Sequence, residues 1–343
     1  MQNPPRPMNI CCTVLGLYLL AAGVKLWQNV VAFADLCGLR VPDAQLVTEI
    51  GKGLTVASVA VTALWLFRLL DPPRRGSERR ARRRVLAADL AAVLAVLAGL
   101  GLLAPALHAE AVGMAFQTVL LVWLAVVLVA RSGVRPGDLG LPTRWRPRAP
   151  RTVSVLIGLA ASAALVLAVF LLIVLATLPG PQGGQPPAEG LTELVDSVRS
   201  AVIEELVVSA AVIMLLTRAG IRPATCVLVS ALMRALPHVY LGWQALAVLP
   251  LGLALGFLFV RYRRVMPLIA AHAARNTMVF LPGWALVALP VMTLLAVVGT
   301  LAALALVVRG PRADDWPPGS RGGTEASSRP TASRPNQPAQ NRK

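Results

Sequence analysis

Charged residues are scarce in this chain, and that scarcity excludes a water-soluble fold. They make up 14% of its 343 residues, against about a quarter in ordinary globular domains, while hydrophobic residues reach 56%. Acidic residues are fewer still, leaving a formal charge of +17. Aromatic residues are only 5% and are not interleaved with the arginines, so no nucleic-acid-binding face is expected. Cysteine gives no framework either. Cys11 and Cys12 lie in the first apolar run, Cys226 lies in a later one and Cys37 stands alone in a loop, a spacing that supports neither a disulfide set nor a zinc knuckle. No His-Glu-x-x-His helix, Gly-x-Ser-x-Gly elbow or aspartyl pair is present, which removes three common hydrolytic chemistries.

What the chain has instead is long apolar runs. A helix needs about 20 such residues to cross the hydrocarbon core, and helices satisfy their own backbone in lipid. The runs predict an all-α, polytopic membrane bundle of about ten spans, at 9–33, 53–70, 85–105, 112–130, 152–177, 194–217, 223–241, 245–260, 265–282 and 284–308. The first run is long, follows a single basic residue (Arg6) and lacks a cleavage site, so it is expected to remain as a span. Arginines cluster in 71–84, 131–151, Arg218 to Arg222 and Arg261 to Arg264, whereas 106–111 and the Gly/Pro-rich 179–193 have no Lys or Arg. Positive loops stay inside, so both termini are expected in the cytoplasm and the protein in the plasma (cytoplasmic) membrane. The bilayer is thus the first expected partner; nucleic acid is not one.

Three regions are expected: four spans with little polar content in 1–131, a region 132–308 whose spans carry ionisable groups, and a Pro, Ser and Arg-rich cytoplasmic tail, 309–343, too polar to order itself. Gly252 and Gly256 form a small-xxx-small face suited to close helix packing.

Ionisable side chains inside spans are costly, about 2.5 kcal/mol or more each, and call for a partner or a function. Here they are grouped. Glu204 and Glu205 are adjacent in one span, Arg234 and His238 are four apart on the next, and His272 and Asn276 are four apart on another. Residues at i and i+4 share a helix face, whereas consecutive ones diverge by about 100°. One glutamate can therefore face a reaction centre while the other bonds a neighbouring helix. Paired carboxylates in a dry site suit a general base, and a Glu-activated water is the natural nucleophile.

These residues resemble the CPBP (CAAX protease and bacteriocin-processing, or Abi) intramembrane proteases. The family pattern is Glu-Glu-x-x-x-Arg, then Phe-x-x-x-His, then His-x-x-x-Asn or Asp on successive spans. This chain has Glu204-Glu205 with Ser209 in the arginine position, Arg234 to His238 with Arg234 in the phenylalanine position, and His272 to Asn276. The motif core is 194–282, and Asp138-Leu139-Gly140-Leu141 ahead of it resembles a segment often found in the family. The resemblance implies an endopeptidase acting on a membrane-associated protein or peptide. It implies that Glu204 polarises the water with Glu205 in support, that His238 holds or activates the water, and that His272 and Asn276 stabilise the oxyanion. The family is commonly labelled metalloprotease, and Glu204, His238 and His272 are a candidate zinc set.

Other readings stand beside this one. The glutamates can form a structural ion pair with Arg199, Arg234 or Arg275, and Asn276 can be an interhelical hydrogen-bonding residue. Ser209 and Arg234 both depart from the pattern, which fits a non-catalytic scaffold, an immunity factor or a transporter that kept the fold. Alternatively, Arg234 takes over the missing arginine's pairing from the next helix.

Overall fold

A computed structural model describes residues 7–39, 109–141, 151–179, 191–278 and 284–309, with scattered positions between 43 and 61. Among these residues the secondary structure is helical, without strands. The helices are α1 (Pro7–Leu36), α2 (Ala109–Arg131), α3 (Arg151–Ala176) and α4 (Leu191–Val202). A π-helical stretch, Ile203–Ala211, joins α4 to α5 (Val212–Arg218). Then come α6 (Pro223–Ala235), two 3₁₀ turns (Leu236–Leu241 and Trp243–Ala247), α7 (Val248–Tyr262), α8 (Met266–Met278) and α9 (Trp284–Arg309).

Six helical runs in the described residues are long and apolar enough to cross a membrane, and α1, bent by 64° between its halves, would make a seventh. This is an all-α polytopic membrane bundle. The expected spans at 85–105 and most of 53–70 lie outside the described residues, as does the tail from 310. At 265–282 the described helix is Met266–Met278, and 279–282 lie outside the described residues.

The centre is the continuous run from α4 through the π stretch to α5, whose neighbours are α1, α2, α6, α7 and α8. Its packing does not rest on a hydrophobic effect between helices, because lipid tails are as apolar as leucine; close van der Waals contact takes that part. The glycines show where. A Cβ on Gly252 of α7 would lie 2.9 Å from the Ala231 Cα of α6, and one on Gly256 would lie 3.0 Å from Val227. The small-xxx-small face is therefore an internal α6–α7 contact. Gly140, at φ 76° after the 3₁₀ turn Pro136–Leu139, lies where a Cβ would meet the Arg263 carbonyl at 2.4 Å. Only glycine meets both demands, and it seats the Asp138-Leu139-Gly140-Leu141 segment against the end of α7.

Candidate active site

The π stretch carries both glutamates. Its i→i+5 bonding widens the helix by one residue per turn, a local geometry concentrated at functional sites. Nearly all of it is buried, Glu205 completely. The neighbouring α6 donates to its backbone: the Ser230 hydroxyl bonds the Val208 carbonyl at 3.0 Å. The widened segment is thus held from outside its own helix.

One turn further along α6, Arg234 is 2% exposed and reaches back to the π stretch. Its Nη2 donates to Glu205 Oε1 at 2.5 Å and to Ser209 Oγ at 3.3 Å. Its Nε lies 3.4 Å from Glu204 Oε2, within ion-pair distance but without hydrogen-bond alignment. The planar fork of arginine makes two carboxylates reachable from one side chain. Both glutamates therefore converge on Arg234, although their positions on the helix diverge. They differ in access, since the Glu204 side chain is 21% exposed and that of Glu205 is fully enclosed.

Glu205 Oε1 is also 2.8 Å from His272 Nδ1 on α8. A carboxylate paired with guanidinium only accepts, so Nδ1 carries the hydrogen and Nε2 is turned away from the pair. His238 is fixed in the same manner, its Nδ1 donating to the Arg234 carbonyl at 2.9 Å. Asn29 of α1 donates to the neighbouring Pro237 carbonyl and secures this end of α6. Asn276, one turn beyond His272, donates to Ser200 Oγ at 3.3 Å and the Ser197 carbonyl at 3.4 Å, and accepts from Arg275 Nη1 at 2.9 Å.

The five residues singled out in the sequence thus occupy one set of helix contacts. Glu205 and His272 touch, Arg234 joins Glu204 and His238 to them, and Asn276 sits on the α4–α8 face beside them. Of the candidate cations, Arg234 is the partner of the glutamates; Arg199 bonds Asp196 and Gln117 instead. In the sequence Arg234 stood as a departure from the family pattern and as one of three candidate partners of the glutamates. The serines at 197, 200 and 230 carried no signal at all, because a serine in an apolar run is unremarkable until its partner is known.

The donor set is poorly arranged for a divalent metal. Among the described residues no three His, Cys, Asp or Glu groups come together as ligands, and the guanidinium lies where a cation between the two carboxylates would have to sit. In this cluster three buried polar atoms, Glu205 Oε2 and Arg234 Nε and Nη1, have no hydrogen-bond partner among the described residues. A cavity of about 660 Å³ lies elsewhere, between α3, α7 and α9, and none of its lining residues belongs to this cluster.

Residues 189–278 match the family model for type II CAAX prenyl endopeptidase, Rce1-like proteins. No curated protein and no solved structure matches the chain. The matched segment begins two residues before α4 and ends with α8, so it contains Glu204, Glu205, Ser209, Arg234, His238, His272 and Asn276, but not Asn29 of α1.

Proposed function

We propose, from the Rce1-like character of residues 189–278, that this chain is an integral membrane endopeptidase that hydrolyses a peptide bond of a membrane-associated protein or peptide. The observation that carries the reading is the buried Glu205–His272 contact at 2.8 Å, with the partly exposed Glu204 carboxylate joined to it through Arg234. Glu204 is the glutamate a water can reach. It accepts a proton as the water oxygen bonds to the scissile carbonyl carbon, and later returns it to the departing amine nitrogen. Neutral His238, its Nδ1 hydrogen engaged by the Arg234 carbonyl, has a lone pair on Nε2 to hold that water. His272, through Nε2–H in its imidazolium form, supplies a donor to the oxyanion, and the Asn276 carboxamide supplies another by turning one Nδ2 hydrogen away from Ser200 Oγ or the Ser197 carbonyl. No step in this scheme requires a metal, and proteolysis is expected to persist in the presence of a chelator.

The test uses the purified chain in liposomes with a membrane-anchored, internally quenched peptide. Wild-type protein is expected to release a fragment with a new amine terminus, and Glu204→Gln to remain folded without cleaving. Equal processing by both removes Glu204 from the reaction. The enclosed Arg234–Glu205 pair favours one alternative, a non-catalytic bundle held by that pair. As a scaffold it would show neither cleavage nor uptake; as a transporter it would show substrate uptake coupled to a proton gradient. The orientation, with both termini in the cytoplasm, predicts that Cys37, exposed just beyond α1, is labelled by an impermeant maleimide from the opposite side.

A further inference from the structure

Arg234 is the residue on which the cluster turns. A buried ion pair serving stability alone is expected to satisfy its donors and acceptors fully, since each unmet one in a dry interior costs about 1–3 kcal/mol. Among the described residues, Arg234 Nη1 and Glu205 Oε2 have no hydrogen-bond partner and Nε meets Glu204 only at ion-pair distance, although the guanidinium is almost fully enclosed. At the same time Arg234 is linked to every residue given a role above except Asn276. Its guanidinium holds Glu205 and Ser209 and pairs with Glu204, its carbonyl holds His238 Nδ1, and through Glu205 it bears on His272. With one donor, Nη2, anchored on both Glu205 and Ser209, the side chain cannot rotate without releasing the π stretch.

We propose that Arg234 is the positioning residue of this site: it fixes Glu205 as the acceptor for His272 Nδ1, and so directs His272 Nε2 toward the reacting atoms while aligning Glu204 beside them. This deepens the endopeptidase reading and rests on it for the word reacting, but the geometry it asserts can be measured without turnover. Lysine at 234 would keep the charge and lose the fork, so it could meet Glu205 but not Glu205, Ser209 and Glu204 together.

The chain contains three histidines, His108, His238 and His272, so ring ¹⁵N spectra of histidine-labelled protein in nanodiscs can be assigned with single His→Gln variants. Wild type is expected to show His272 with a hydrogen-bonded Nδ1–H. In Arg234→Lys that signal is expected to move or split between tautomers, with kcat lower by roughly tenfold to a hundredfold, as for a misplaced reactive group, and KM within about twofold. Should the lysine variant fail to fold, Ser209→Ala, which removes only a hydroxyl that accepts from Arg234, is read in the same manner and should move the signal less. A His272 signal identical to wild type in the folded variant overturns the proposal, whether or not kcat changes. If wild type cleaves nothing while the variant still shifts His272, the positioning role stands and the endopeptidase reading falls.

Discussion

The runs 192–218 and 290–308 are both long and apolar enough to span a membrane, yet 78% of the first's core window is buried and only 17% of the second's. On α9 a stripe of Leu294, Val297, Leu301, Leu304 and Val308 is more than half exposed, at the three- and four-residue spacing of one helix face. The central run has no such stripe. Its interior carries Glu205, Ser209 and the contacts to Arg234 and His272 instead. Hydropathy cannot separate the two, because lipid and protein interior are equally apolar solvents. The separation comes from polar groups, which in a membrane can be placed only where other protein meets them.

If that contrast is right, the same kind of change should have very different effects in the two runs. Glu205→Gln leaves the enclosed Arg234 without its main counter-charge and should cost about 3–5 kcal/mol, read as a lower unfolding midpoint in detergent; an unchanged midpoint would mean the pair does not hold the centre together. Asn276→Ala removes a donor and should lower kcat by about a hundredfold or more with the fold retained, whereas a rise in KM alone would place Asn276 in binding. Gly252→Val places a branched side chain where Ala231 backbone already lies 2.9 Å away, and overpacking of this kind costs about 1–3 kcal/mol, seen in the same melt. Val297→Ala on the exposed stripe should stay within about 0.5 kcal/mol. A loss there as large as at Gly252 would mean that α9 faces protein.

Much of this arrangement was legible in the sequence, and the reasons differ by element. The spans could be read because a membrane imposes a minimum length on apolar runs. Glu204, Glu205, His238, His272 and Asn276 could be singled out because charge and amide groups are rare in such runs and fall at fixed spacings. The π stretch could not be read, since its bonding depends partly on Ser230, a residue of another helix. Pairing of Arg234 with a glutamate from the next helix was one reading the sequence offered, but not its convergence with both: helix periodicity sends adjacent side chains apart, and only the reach of a guanidinium from α6 brings them back together.

The widened helix also governs how this chain can tolerate a change in length. A π turn holds one residue more than an α turn, so deleting a single residue between Glu205 and Ser209 would let Ile203–Ala211 close as ordinary α-helix. The parts on either side would keep nearly the same phase, since an α turn completes the same rotation with one residue fewer. What would be lost is the widened turn itself, which presents Glu205, Ser209 and the Val208 carbonyl to α6. A chain shortened in this way would keep the acidic doublet in its sequence without the geometry that seats it against Arg234.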